Sequence, residues 1–253
     1  MSFTPSREKR PNMASTFLTA EWRKLIMANY IVADELLQPY LPAYTELDRY
    51  KGHCYVSLVG FLFQNTRLKS VPIPFHRTFE EVNLRFYVRH TKSTGEQRRG
   101  VVFISELVPR FALSLVANTI YGENYATVPL RHQWEQDEEQ RSVRYQWRYK
   151  SRWDELQVKA AIHPQPIEGN SVEEFFTEHY WGYTKRGAST SEYGVLHPRW
   201  MIYPILQHSI DVDFGALYGS EFAFLSKREP ESILLAEGSE IEVRAGERVT
   251  EAS

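Results

Sequence analysis

Four polar side chains stand at every second position of the run FEEVNLRFYV, residues 79–88: Glu81, Asn83, Arg85 and Tyr87. An extended chain sends alternate side chains to opposite faces, so these four share one face while Val82, Leu84, Phe86 and Val88 share the other. On one face there is therefore a carboxylate, an amide, a guanidinium and a phenol. Arg85 could hold an anionic oxygen by a charge-assisted hydrogen bond, and Glu81 could orient Arg85 or act as a general acid or base. Asn83 and Tyr87 would complete a ligand-binding lining. If this face looks into a closed or half-closed sheet, its groups are buried together and need partners that a polar ligand could supply. If it looks outward it is a solvated edge, and alternation alone points that way because ordinary half-buried strands show it.

Other chemistry finds little support in the motifs. There is no G-x-G-x-x-G, G-x-x-x-x-G-K-[ST], H-E-x-x-H, C-x-x-C or G-x-S-x-G, so nucleotide, zinc and α/β-hydrolase readings lose their sequence basis. The eight histidines lack ligand-like spacing, and nothing requires His53, His76 and His90 to converge; no metal or cofactor is expected. Cys54 is the only cysteine, so no intrachain disulfide is possible; His53 beside it points to the opposite face of a strand, leaving a small buried thiol.

The elements that must carry these residues are mostly strands. A strand or irregular arm is expected over 22–32, then a short turn capped by Asp34, since Pro39 and Pro42 forbid a long helix. Buried strands are expected over 53–64, 81–90 and 101–108, and an apolar helix over 110–121 ending at Gly122. Residues 126–162 read as a β-meander whose middle strand sets Val143, Tyr145, Trp147 and Tyr149 against Arg144, Gln146, Arg148 and Lys150. That basic row is read as a solvated outer face rather than a nucleic-acid surface. Ser171 and Glu174 form a capping box for a helix carrying Phe175, Phe176, His179, Tyr180 and Tyr183 as an aromatic stripe, and the strand pair ILLAEG and EIEVRAG ends the chain.

Composition bounds the partners. Of the 253 residues 42% are hydrophobic and 14% aromatic, enough for a sizeable core, and a formal net charge of −2 offers no field to draw in nucleic acid. No apolar run reaches the roughly 20 residues that cross a bilayer, and the N-terminus lacks a secretory h-region, so the expectation is a soluble cytoplasmic protein. Residues 1–15 read as a flexible polar tail and 16–247 as one domain.

The blocks GHCYVSLVGF, FEEVNLRFYV, FFTEHYWGYTKR and HPRW, in that order, resemble the YqjF-like family of uncharacterised bacterial proteins, whose fold is similar to acetoacetate decarboxylase. The resemblance implies an α+β, mainly antiparallel closed barrel with a central pocket and a few peripheral helices. It also sets Glu81 at the place of a pocket glutamate. In the segment TIYGENYATV it keeps Gly122, but Glu123, Asn124, Tyr125 and Ala126 stand where the decarboxylase carries an aromatic residue, Pro and paired lysines. Schiff-base chemistry needs an amine of lowered pKa, and Tyr125 cannot form an imine; it could instead donate to a carbonyl oxygen. Lys150, Lys159 and Lys185 are read as solvated.

The resulting expectation is a protein that binds or transforms a small carboxylate or carbonyl compound without a Schiff-base lysine, using Glu81, Arg85 and Tyr125 with Asn83 and Tyr87. Two alternatives stand beside it. One is a carrier or sensor with no chemistry. The other is a structural, homo-oligomer-forming protein with a vestigial pocket and its aromatic helix at a subunit interface.

Overall fold

The computed structural model describes residues 15–72, 77–109 and 125–250. The expected tail lies outside these residues except for Ser15, as do His76, the helix expected over 110–121, and Gly122, Glu123 and Asn124. β1 (Thr16–Val32) leads through the short helix Asp34–Leu37 to β2 (Glu46–Leu47) and β3 (Cys54–Leu68). After β4 (Val71–Pro72) the chain runs out along β5 (Phe79–Thr91) and back along β6 (Gln97–Val108). β7 (Tyr125–Thr127) precedes the meander of β8 (Leu130–Gln136), β9 (Gln140–Tyr149) and β10 (Arg152–Ala161). Then come β11 (Gln165–Pro166), the helix Val172–Thr177, β12 (Trp181–Arg186), β13 (Ser189–Leu196), β14 (Met201–Tyr203) and β15 (Ile205–Asp211). The helix Phe214–Tyr218 and the 3-10 turns of Ser220–Lys227 lead to β16 (Ser232–Arg244) and β17 (Glu247–Val249).

Among the described residues, β8, β9, β10 and β15 form a four-stranded sheet and the other thirteen strands form one larger sheet. In the larger sheet β16, β1, β3, β5, β6, β12 and β13 are successive neighbours, and β13 pairs again with β16 at Val195 and Leu196, so the pairing runs in a circuit. Among the described strands only the contacts of β6 with β7 and with β12 are parallel. The fold is the expected mainly antiparallel α+β arrangement with few helices, and no helix among the described residues is long and apolar enough to cross a membrane.

The alternation in β5 explains how the layers separate. Val82, Leu84, Phe86 and Val88 have no exposed surface and pack with Tyr145, Trp147, Leu156 and Val158 of the smaller sheet. Each such side chain contributes about 1.5–3 kcal/mol of burial. The opposite face belongs to a second apolar cluster around Leu25, Val59, Phe61, Phe175 and Phe176. β3 lies between the same two layers, which is why residues 54–63 are buried without alternation. In β9, Val143, Tyr145 and Trp147 are buried while Arg148 is exposed, and Arg144 reaches Glu155 at 3.5 Å on the outer face.

Three local expectations are corrected. Asp34 is not a cap: Ala33 holds that position without a side-chain bond, and Asp34 pairs with Arg49 at 2.5 Å. The aromatic helix stops at Thr177, and Tyr183 belongs to β12. Gly182 lies inside that strand, where a Cβ would meet the Tyr193 ring at 2.2 Å, so a larger residue would require that ring to move. The cap itself is present, with Ser171 Oγ accepting from the Glu174 amide at 3.2 Å, but the Glu174 carboxylate turns back to the Asn170 amide at 2.5 Å.

The expected terminal strand pair is one continuous strand, β16. Gly238 marks a bend in it rather than a hairpin, with φ of +81°, opposite Arg23 of β1. Lys24, with φ of +53°, bends the facing strand, and its ammonium pairs with Glu237, which Tyr203 also contacts. A Cβ at 238 would fall 1.9 Å from the Trp22 carbonyl oxygen. Gly238→Ala is therefore expected to cost about 3 kcal/mol or more, from left-handed backbone strain and overpacking together. Gly52→Ala, with φ of +86° but open space around it, should cost about 1 kcal/mol. Urea unfolding of the two variants checks this; equal losses would show that the contact with Trp22 does not matter.

Candidate functional site

Each of the seven strands in the circuit contributes wall residues to a cavity of about 260 Å³. Its lining is mostly aromatic and aliphatic, including Trp22, Phe61, Phe63, Phe79 and Trp200. Glu81, Asn83 and Arg85 face into it from β5, so the polar face looks inward rather than to solvent. β6 adds Glu106, which stands directly across from Asn83.

Glu106 reaches the cavity through an irregularity. Leu84 pairs with Ser105 but Arg85 pairs with Phe103, so the register shifts by one residue at Ile104. One extra residue reverses the in-out parity of the strand. The wall residues of β6 are accordingly Val101 and Phe103 on one side of the bulge, and Glu106 and Val108 on the other.

The acids gather around one phenol. Glu81, Asn83 and Glu106 are each no more than 3% exposed. Asn83 Nδ2 donates to Glu81 Oε1 at 2.9 Å, and the Tyr125 hydroxyl donates to Glu81 Oε2 at 3.4 Å. Burial, then the charges of Glu106 and Glu81, hold the Tyr125 phenol well above its usual range, so it remains a proton donor.

Arg85 lies four residues along the strand from Glu81, roughly 13 Å of backbone, which is too far for the ion pair expected between them. Its Nη2 donates to the Phe176 carbonyl at 3.2 Å and lies 3.6 Å from Met27 Sδ. It has no carboxylate partner among the described residues. Tyr87, expected on the lining, sits behind it. Its hydroxyl is 2.6 Å from Ser57 Oγ, which donates to Asn29 Oδ1 at 2.5 Å, and its ring packs on Phe175, Phe176 and His179.

Two histidines that the sequence reading did not assign to the site also line the cavity. His179 Nε2 lies 3.1 Å from Asp48 Oδ2, which accepts from Arg99 Nε at 2.7 Å. Burial lowers the His179 pKa to about 4, outweighing the pull of Asp48. His197 Nδ1 donates to the Pro198 carbonyl at 2.9 Å, and its ring stacks on Trp200 at 4.2 Å. Burial also pushes His197 to about 4, with the charge of Arg85 adding to the shift. His179 was hidden inside the misread helical stripe, and Glu106 was hidden by the bulge, although a lone acid in VVFISELV was a visible signal. His197 stood in the HPRW block without an assigned role.

The cavity wall holds no lysine among the described residues. Lys150 and Lys185 are exposed, with Lys185 Nζ donating to the Pro39 carbonyl at 2.8 Å, and Lys159 lies on β10 of the smaller sheet.

Because both imidazoles are held neutral, the unfolded chain binds more protons than the folded one between the ordinary histidine pKa of about 6.5 and the folded value of about 4. The stability their depressed pKa values contribute is present above pH 6.5 and is lost as pH falls through that window. Urea midpoints at pH 7, 5.5 and 4.5 should fall steadily, and His197→Gln should flatten the slope; an unchanged slope would place the titration elsewhere.

Comparison with known proteins agrees with this architecture. The chain is 26% identical to the uncharacterized protein YqjF of Bacillus subtilis (strain 168) over 190 residues, covering 72% of this chain and 73% of that protein. The solved acetoacetate decarboxylase of Legionella pneumophila superposes with a TM-score of 0.64 at 13% identity, covering 98% of this chain and 92% of that one. The enduracididine biosynthesis enzyme MppR, solved with pyruvate, gives a TM-score of 0.65 at 11% identity over 99% of this chain and 96% of its own. An acetoacetate decarboxylase-like enzyme from Sphingomonas wittichii RW1 gives 0.63 at 12% identity, with 98% of each chain covered. These likenesses show a shared fold. Residues 19–240 match the family described as uncharacterized conserved protein, DUF2071, and the chain belongs to that family.

Proposed function

We propose that the cavity binds a small organic molecule with a carboxylate or carbonyl group on an apolar body, and acts on it without a Schiff-base lysine. One observation carries the reading: a mostly apolar cavity has an acid-and-phenol wall at one end and, along the same strand, a guanidinium with no carboxylate partner among the described residues. A guanidinium in such a place is suited to an anionic oxygen. Arg85 anchors the carboxylate, Tyr125 donates to a developing negative oxygen, and Glu81 moves a proton, with Asn83 holding Glu81 in place. Tyr87 supports Arg85 from behind, its ring centroid 5.6 Å from the guanidinium carbon.

The fold relatives support a small-molecule role, MppR having been solved with pyruvate. A carrier or sensor would use the same cavity and differs only in leaving its ligand unchanged. The oligomer reading loses its surface, because Phe175, Phe176 and Tyr183 are buried within the chain itself. We place the protein in the bacterial cytoplasm, with its single cysteine, Cys54, buried as a thiol.

Native mass spectrometry of protein purified from its own host should show a defined added mass, and incubation of that ligand separates turnover from carriage. Arg85→Met should fold normally and bind 3-phenylpropanoate roughly 30-fold more weakly, the worth of about 2 kcal/mol for a hydrogen bond to a charged group. Acetoacetate with borohydride should leave the protein mass unchanged. A reduced adduct on any lysine would overturn the claim that no imine forms, and unaltered binding in Arg85→Met would remove Arg85 from the site.

A further inference from the structure

Resting on that reading of the cavity, we propose that Asp48, His179 and Arg85 select a 2-hydroxy acid, Arg85 taking the carboxylate and Nδ1 of His179 accepting the hydrogen bond of the adjacent hydroxyl. The geometry begins with Asp48, whose amide donates to the Tyr87 carbonyl at 2.9 Å and whose Oδ2 accepts from Arg99. A carboxylate only accepts, so the ring nitrogen facing it, His179 Nε2, must carry the proton. In a neutral imidazole the other nitrogen then bears a lone pair.

That nitrogen, Nδ1, is buried and has no hydrogen-bond partner among the described residues, on a residue only 8% exposed that lines the cavity. The same is true of one donor nearby, Arg85 Nε. Both groups lean on one ring. The His179 centroid is 4.8 Å from that of Tyr87, and the guanidinium carbon is 5.6 Å from it. An unsatisfied acceptor and an unsatisfied donor thus belong to two residues that line one mostly apolar cavity and both contact the Tyr87 ring, and a ligand that offers both complements can displace the deficit. A 2-hydroxy acid offers them, with an anionic oxygen and an O–H on neighbouring carbons. Phe175 packs against the His179 ring, with centroids 5.2 Å apart and planes nearly perpendicular at 82°. His179 is a specificity residue in this scheme and Asp48 a positioning residue, fixing which nitrogen accepts.

The test titrates the full chain with 2-hydroxy-3-phenylpropanoate and with 3-phenylpropanoate by calorimetry. Wild type should bind the hydroxy acid about tenfold more tightly, as one well-made hydrogen bond implies. His179→Phe should keep 3-phenylpropanoate binding and bring the ratio near one. Asp48→Asn should lower the ratio, because an amide can donate to Nε2 and move the proton to Nδ1. A purely structural Asp–His pair would change stability and leave the ratio alone. Should His179→Phe fail to fold, nitrogen NMR of histidine-labelled wild type decides: the Nδ1 resonance should move with the hydroxy acid and not with 3-phenylpropanoate. Equal binding of the two acids by wild type, or a ratio that survives His179→Phe, overturns this proposal while the cavity reading stands. Binding of neither acid overturns both.

Discussion

The polar side of β5 is buried on a strand whose other side is buried too, and most of the structure follows from that constraint. Outside, Val82, Leu84, Phe86 and Val88 are held by the smaller sheet. Inside, Glu81 and Asn83 are buried and Arg85 is half-buried, so their polar groups are satisfied largely by neighbours or by what enters the cavity. The answers differ along the strand. Glu81 is met by Asn83 and Tyr125, and Tyr87 by the chain of Ser57 and Asn29 that crosses β3 and β1. Arg85 receives only a carbonyl and a sulfur from its described neighbours.

Charge separation in the cavity has a geometric origin. Glu81 and Asn83 lie on successive inward positions of β5, and the bulge in β6 brings Glu106 opposite Asn83, so the carboxylates cluster at one end. Arg85 falls beyond the bulge. The histidines nearby add hydrogen-bonding capacity but no charge, since burial keeps His179 and His197 neutral near pH 7. A ligand that spans the cavity therefore meets a proton-rich hydroxyl and carboxylates at one end, and a fixed positive charge with neutral acceptors at the other.

The strands and their faces were legible because period-two alternation is a local property: β5, β6 and the β8–β10 meander lie close to where the pattern sets them. What alternation could not say is which face meets solvent. That depends on whether distant strands close over the polar side, and here the closure comes from β12, β13 and β16, more than 90 residues further along. The same remoteness hid Asp48, Glu106 and His179, whose roles come from tertiary pairing and from the register shift in β6. The misread terminal hairpin shows the opposite failure. Gly238 carries a turn signal, but its positive φ serves a bend shared with Lys24, because the cross-strand ladder from Ser232 to Arg244 outweighs the local preference for a turn.

The acid wall also bears on why a lysine would be out of place there. An amine forms an imine only as the free base, so such sites depress its pKa by burial and neighbouring cations. Around the Tyr125 hydroxyl, burial and then two carboxylates raise the phenol's pKa; burial would lower the pKa of an ammonium there, but the carboxylates, unlike neighbouring cations, would oppose that. The same field suits a phenol that must keep its proton until an oxygen nearby becomes more basic. The strands of a fold shared at 11–13% identity with the decarboxylase and MppR thus persist without fixing the polarity of the cavity wall, which is set by individual side chains.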